Sequence, residues 1–467
     1  MKRYANYKQT GIAWLPQVPE HWNLMRGKNL YMKMQRAIRD TDEVVTCFRD
    51  GTVTLRKNRR TKGFTESLKE FGYQGIRKGD LVIHVMDAFA GSIGVSDSDG
   101  KGTPVYSVCQ AKGDSNNHYY AFLLREMARA GYIQSLYRGI RERSSDFRFE
   151  VFASQFYPVP PREEQDQIVR FLDWKVARIN KLIANYRQEL GIFNEIKQKL
   201  INETVTKGIH KVQLIHNNDI RWNIDYPEHW HIQRIRESFS FRKGLSITKE
   251  NLEETGIAVI NYGQIHSKKN SCIGLNEELI KHVNESYLTT NPSCLVEKGD
   301  FIFADTSEDI SGCGNCVYID SVDTIFAGYH SIIAHPNNSG NSNYLAYLFK
   351  SPLWRYQIHK KVNGVKVYSI TQKMLKDAFI LIPPVNEQEE IIQYLNKVCA
   401  KIDTSVKSIE EKIAQLQELK TRLISDVVTG KIDVRGIEIP EYESVEEVLD
   451  ESTDEAEGEE ATVVEEE

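Results

Sequence analysis

Nowhere in the 467 residues does an apolar run approach the roughly 20 residues that cross a bilayer, so no membrane role is expected. The first residues, MKRYANYKQTGIAWLP, bring two cations but no apolar segment of the secretory kind, and a cytoplasmic chain is the expectation. Seven cysteines, an odd number without framework spacing, suit a reducing compartment better than a disulfide scaffold. Catalytic signatures are missing too. There is no Gly-x4-Gly-Lys-Ser/Thr loop for ATP, which argues against a motor in this chain. An amino-methyltransferase would show Asp/Asn-Pro-Pro-aromatic, and neither Asn291-Pro-Ser-Cys294 nor the pairs Pro160-Pro161 and Pro383-Pro384 fit that pattern. Cys313-Gly-Asn-Cys316 has zinc-ligand spacing, but no second pair follows, so a glycine-rich turn with reduced thiols is the expected reading and no metal ligands are expected. His21 and His229 each sit beside Trp in a packed turn, with no partner in view that would make them catalytic.

What is present is a large chain with an uneven charge. At 53.7 kDa, with 40% hydrophobic residues and a mean hydropathy of -0.46, it has material for two or more domains. The net charge of -5 hides a basic body. Fourteen acids and no Lys or Arg lie between Glu441 and Glu467, so everything before that segment carries about +9. The acidic tail is expected to stay disordered, while the body can neutralise phosphates.

A repeat organises the body. Pro19-Glu-His-Trp22 returns as Pro227-Glu-His-Trp230, within the longer stretches Trp14–Trp22 and Trp222–Trp230. Lys78-Gly-Asp80 returns as Lys298-Gly-Asp300, each followed by a strand-like run. Phe156-Tyr-Pro-Val-Pro-Pro161 with Glu164-Gln165 returns as Phe379-Ile-Leu-Ile-Pro-Pro384 with Glu387-Gln388. The offset grows from 208 to 220 to 223, which points to insertions in surface loops.

After each Pro-Pro the pattern turns helical, with acids in the first turn. Ile168, Leu172, Val176, Ile179, Ile183, Tyr186, Leu190, Phe193 and Leu200 step by three, four or seven residues; Ile391, Leu395, Val398, Ile402, Val406, Ile409, Ile413, Leu416, Leu419 and Leu423 follow suit. These are narrow coiled-coil-like seams, and packing one on the other inside the chain is the economical way to cover both. Gly208 and Gly430 mark the two helix ends. The first helix, from about Glu163 to Thr206, would be on the order of 65 Å long at 1.5 Å per residue.

The doubled order of Pro-Glu-His-Trp, the Gly-x-Arg or Gly-x-Lys loop, Pro-Pro, Glu-Gln and a long helix closing near Val-Thr-Gly-Lys resembles the specificity subunit of type I restriction-modification enzymes, over Trp14 to about Val434. That resemblance implies an α+β fold, with two globular target-recognition domains separated by two long antiparallel coiled-coil-like helices in an internal pseudo-twofold repeat. The expected boundaries are 1–161 and 209–384 for the two recognition domains, 162–208 and 385–430 for the conserved spacer helices, and 431–467 for a linker and the acidic tail. It also implies a non-catalytic, DNA-binding subunit that reads a bipartite site in double-stranded DNA for methylation and restriction. Two methyltransferase subunits and restriction/translocase subunits would be its partners, and S-adenosylmethionine, ATP and Mg would be held by those partners, with no cofactor in this chain. Since the two recognition segments share little outside the named motifs, the site should be asymmetric. A helical adaptor without sequence-specific DNA binding is the alternative. It accounts for the rods but not for the basic body. The acidic extension is the one departure from the family pattern.

Phosphate clamping calls for cations and base reading for donors and acceptors, so basic loops with Gly, Asn, Ser and aromatic residues are the DNA-binding candidates. The first is Arg56, Lys57, Arg59, Arg60 and Lys62. The second is Arg138, Arg141, Arg143 and Ser144, matched in the other repeat by Asn363, Lys366 and Tyr368. The third is Lys268 and Lys269 with Arg242 and Lys243. Arg141→Ala and Lys366→Ala should each weaken duplex binding and lower the slope of log affinity against log salt by about 0.9. A salt titration with slopes equal to wild type removes both from the interface.

Overall fold

The computed structural model describes residues 2–59, 72–136, 146–217, 224–337, 342–364 and 367–442. The chain forms two compact units, one from Met1–Arg187 and Glu410–Glu467, the other from Gln188–Ile409. Both divisions fall inside long helices, Arg162–Lys207 of 46 residues and Val385–Val428 of 44. Each unit therefore contains part of both helices, and each is described in turn.

In the first unit, strand Asn23–Arg26 pairs antiparallel with Phe156–Val159, closing the start of the recognition segment against its end. Between them lies an antiparallel sheet in the order Tyr31–Lys33, Tyr106–Ala111, Leu81–His84, Ile93–Val95. In Leu81–His84 the first three residues, Leu81, Val82 and Ile83, are all apolar because both faces of the strand are covered. Leu81 and Ile83 join a core with Tyr119, Tyr120 and Leu124 of helix Asn117–Arg129, while Val82 joins a second core with Val45, Val53 and Ile76.

The second unit repeats this plan. His231–Arg234 pairs with Phe379–Ile382, and the sheet runs Phe239–Lys243, Ser331–Pro336, Phe301–Ala304, Cys316–Tyr318. Phe301 and Phe303 enter one core with Phe349 and Trp354, and Ile302 and Ala304 enter another with Ile260 and Ile325.

The repeated Lys-Gly-Asp is a turn that launches the doubly covered strand. Gly79 and Gly299 take φ of +90° and +102°, a region that L side chains avoid. Buried Asp80 accepts from the Arg77 amide at 2.8 Å, and buried Asp300 from the Glu297 amide at 3.0 Å. A cation from a neighbouring segment completes each carboxylate, Arg36 on Asp80 and Arg242 on Asp300.

The other repeated residues also touch. In the first unit Glu164, in the first turn of its helix and 4% exposed, accepts from Trp22 Nε1 at 2.9 Å and Tyr4 OH at 2.6 Å, with His21 Nε2 at 2.8 Å. In the second, Glu387 accepts from Trp230 Nε1 at 2.9 Å and lies 2.6 Å from His229 Nε2. Gln165 and Gln388 each donate to the carbonyl of the first proline of their Pro-Pro at 2.8 Å.

Each unit also holds the end of the helix that belongs to the other repeat. In the first, Tyr119 OH donates to the Val428 carbonyl at 3.2 Å, and a Cβ on Gly430 would come within 2.5 Å of Pro19 and 2.8 Å of Trp22. In the second, Tyr344 OH donates to the Val205 carbonyl at 3.0 Å, and a Cβ on Gly208 would meet Trp230 at 3.1 Å. Both glycines have positive φ, +75° and +74°.

The helical segments are antiparallel within each unit. In the first, Lys420 Nζ donates to Asn180 Oδ1 at 3.2 Å and Lys412 lies over the Tyr186 ring at 5.5 Å. In the second, Ile201 and Val205 share a core with Ile391, Leu395 and Cys399, and Lys197 pairs with Asp403. The seam is not covered along its whole length: Leu419, assigned to it by periodicity, is 52% exposed.

Glu164→Ala strands three donors, two of them on buried residues, and should cost about 3 kcal/mol. Glu387 is 22% exposed and His229 44%, so water replaces part of the loss there and Glu387→Ala should cost about half as much. Urea midpoints of the two variants check the order; equal midpoints refute it.

Candidate nucleic-acid interface

In the second unit, the loops leaving one end of the sheet converge. After Phe301–Ala304 the chain makes the short strand Thr306–Ser307, which pairs with Tyr368–Ser369, and Ile370 donates its amide to the Asp305 carbonyl at 2.7 Å. The segment between Tyr262 and Asn270 closes over them. His266 is fixed at both ring nitrogens: Nε2 donates to the Thr306 carbonyl at 2.8 Å, and Nδ1 lies 3.2 Å from Asn315 Nδ2. A cleft of about 660 Å³ opens here, with Tyr262, His266, Lys268, Asp309, Asn315 and Arg355 in its wall.

Beside the cleft stands an aromatic group that carries backbone strain. His330 is exposed and has a φ of +53°, unusual for a residue with a side chain. Its Nδ1 lies 3.1 Å from Asp305 Oδ1, and its ring meets those of Tyr262 and Tyr329 edge-on at 5.6 and 6.0 Å. Asp305 thus orients the imidazole, and among the described residues its Nε2 has no hydrogen-bond partner. Hydroxyl, amide, imidazole and ammonium groups on one irregular surface are the set that groove edges and phosphates require.

The equivalent end of the first unit has a related layout. Phe147 donates to the Val85 carbonyl at 3.2 Å, as Ile370 does to Asp305. Asp87 follows the strand Leu81–His84 and takes Arg49 at 3.2 Å, with His84 Nε2 at 3.8 Å. Burial lowers the affinity of His84 for a proton, the neighbouring Asp87 opposing it.

The sequence candidates separate by environment. Lys57, in the single turn Arg56–Asn58, pairs with Glu43 at 2.5 Å with both side chains more than half exposed. Such a pair is worth at most about 1 kcal/mol, so a phosphate can displace the glutamate cheaply. Arg59 is held more tightly, 2.7 Å from Asp50 at 22% and 15% exposure and over the Phe48 ring at 4.4 Å. Arg56 donates to Thr46 Oγ1 at 3.3 Å. In the second unit Lys268 lines the cleft, and it and Lys243 are exposed with no carboxylate partner among the described residues. Lys269 pairs with Glu278 on the surface. Asn363 is exposed, and Tyr368 joins the cleft-side strand pair. Arg242, by contrast, lies 3.5 Å from fully buried Asp300, whose carboxyl burial pushes up and the Glu297 amide and His335 pull back. Arg60, Lys62, Arg138, Arg141, Arg143, Ser144 and Lys366 lie outside the described residues. Charge alone did not single out Tyr262, Asp305 and His330, because nothing in the sequence marks a left-handed histidine.

The chain is similar to several known proteins. Residues 227–415 match the family model of the type I restriction modification DNA specificity domain. The chain is 21% identical over 290 residues to the type I restriction enzyme MjaVIII specificity subunit of Methanocaldococcus jannaschii, covering 62% of this chain and 64% of that one. It is 24% identical over 284 residues to the EcoKI specificity subunit of Escherichia coli K12, covering 59% and 57%. The chain thus aligns with less than two thirds of either protein's length. A putative specificity subunit of M. jannaschii, MjaX, aligns over 92% of this chain and 97% of its own length at 21% identity. In fold, it is similar to a chain from a study of complex assembly and conformational transition in the type I R-M system, with a TM-score of 0.63 at 15% identity, over 89% of this chain and 99% of that one.

Arg242→Ala should destabilise the second unit by about 1–3 kcal/mol, since it leaves a buried carboxylate short of its cation, whereas Lys268→Ala should leave the urea midpoint in place. In a DNA titration Lys268→Ala should lower the salt slope by about 0.9. The opposite pattern would exchange their roles.

Proposed function

We infer that this chain belongs to the type I restriction-modification specificity family and is the non-catalytic subunit that reads a bipartite, asymmetric site in double-stranded DNA for both adenine methylation and restriction. The observation that carries this is the duplication of one reading unit with unlike tips. The Glu164 and Glu387 clamps, the Lys-Gly-Asp turns and the docked helix ends recur, while the loops at the sheet ends differ: Arg49 and Asp87 in one, Tyr262, His330 and Lys268 in the other. Common scaffolds with different tips suit two different half-sites.

On this reading each unit approaches the duplex with the loop end of its sheet. Exposed lysines neutralise phosphates and set register, and the imidazole, amide and hydroxyl groups take base edges. The surplus of about +9 before the acidic tail supplies the long-range attraction. Two methyltransferase subunits and the restriction/translocase subunits complete the enzyme in the cytoplasm, and S-adenosylmethionine, ATP and Mg are held by those partners. The adaptor reading is weaker, because it accounts for the long helices but not for the basic body, nor for exposed Lys268 beside a polar cleft.

A methylome of the host, with the gene intact and deleted, tests the proposal. One split, asymmetric adenine-methylated motif should vanish on deletion. If no motif depends on the gene and no methyltransferase co-purifies with the chain, the adaptor reading replaces it.

A further inference from the structure

All seven cysteines are free and buried, and burial raises the thiols of Cys47, Cys109, Cys294, Cys313 and Cys399 above their ordinary range. Such thiols are inert packing. Cys272 has different surroundings. It lines the cleft of the second unit, and its backbone sits in the left-handed region at a φ of +63°. The Asn270 side chain ties its loop to the strand Cys316–Tyr318: Oδ1 accepts from the Cys272 amide at 2.9 Å, while Nδ2 donates to the Cys316 carbonyl at 2.9 Å and the Ile265 carbonyl at 2.8 Å. One side chain thus joins the backbones of two buried cysteines, Cys272 and Cys316, and holds them side by side. Two cations complete the setting. Lys350 Nζ donates to the Ser271 carbonyl at 3.0 Å, Arg355 Nη1 donates to the Ser311 carbonyl at 2.6 Å, and both line the same cleft. Neither forms an ion pair with a carboxylate among the described residues.

We propose that Cys272 and Cys316 are an oxidation site, a vicinal dithiol that hydroperoxides convert to a disulfide through attack by Cys272. Cys272 is the attacking member because it faces the cleft, whereas Cys316 is fully enclosed in its strand. The adjoining Cys316 thiol, with Lys350 and Arg355 in support, holds the Cys272 thiol below the usual range against the effect of burial, while burial pushes Cys316 up. In the first step the Cys272 thiolate attacks the terminal hydroxyl oxygen of the hydroperoxide: an S–O bond forms, the O–O bond breaks, and the alkoxide or hydroxide leaves and takes up the proton lost from the thiol, departing as alcohol or water. Cys272 is then a sulfenic acid. In the second step Cys316 sulfur attacks that sulfur, the S–S bond forms, and the hydroxyl leaves as water with the Cys316 proton. Two thiols are oxidised by two electrons and one peroxide is reduced.

The linkage would pin the segment from Ile265 to Cys272, which carries Lys268 and Lys269, to the sheet. Oxidation would then act on the wall of the cleft, whatever the cleft binds.

The test uses the full chain with hydrogen peroxide under native conditions, followed by alkylation and peptide mapping without reduction. The expected result is a linked Cys272–Cys316 peptide with loss of both free thiols, reversed by dithiothreitol, while the other five cysteines stay alkylatable after unfolding. In Cys316→Ala, Cys272 should stop at the sulfenic acid and be captured by dimedone. The proposal is overturned if Cys272 remains a free thiol, if either residue links elsewhere, or if dimedone fails to label Cys272 in that variant. None of these readouts involves DNA, so they stand apart from the test of the subunit's function.

Discussion

A buried indole N–H must find an acceptor, and in both units the acceptor is a glutamate in the first turn of a long helix. Glu164 and Glu387 lie where the helix dipole favours negative charge, and each fixes the entry to its recognition segment on the helix that follows that segment. The rest is placed from there. With Trp22 and Trp230 held, the strand pairs beside them close, and each indole becomes the wall on which the other repeat's helix ends. The terminal glycines follow from that contact. A side chain at Gly430 would strike both Pro19 and Trp22, and at Gly208 it would press on Trp230.

Much of this scaffold was legible in the sequence because it is periodic or doubled. Two long helices were expected from their apolar spacing, and one runs Arg162–Lys207 against an expectation of about Glu163 to Thr206. What the repeat did not disclose is that its separate motifs are parts of one contact. Pro-Glu-His-Trp and Glu-Gln stand more than 140 residues apart in the chain, and no spacing rule connects an indole with a carboxylate at that distance. Nor did the pattern reveal that each helix ends on the opposite recognition segment. Leu419 illustrates the limit of periodicity: its heptad position is apolar, but two helices alone do not cover every position of a seam.

The tips were harder, for a physical reason. Charge identifies a cation but not its neighbour, and the neighbour decides what the cation can do. Arg242 and Lys243 are adjacent, yet one answers a fully buried aspartate and the other is exposed. The reverse holds for Tyr262, Asp305 and His330, ordinary residues scattered over nearly 70 positions that acquire a shared surface only through the strand pairing around Thr306. Recognition surfaces built on variable loops over a fixed frame keep their information in placement, and placement is what a single sequence conceals.

The docked helix end has a consequence for how the protein is made. Tyr119 and its Val428 partner are 309 positions apart, and the Gln167 side chain reaches the Val434 carbonyl across 267. The first unit is therefore incomplete when its own recognition segment leaves the ribosome. At 5–20 residues per second, translation of the missing stretch takes on the order of 15–60 s. For that interval the Trp22 wall lacks its glycine-ended lid, and a nascent chain with an uncovered aromatic face is open to capture by chaperones or by a neighbouring chain. The second unit, whose helix end at Val205 is synthesised before Tyr344, has no such wait. Two nearly equivalent halves would thus mature in the reverse of their order of synthesis, the later-made half first.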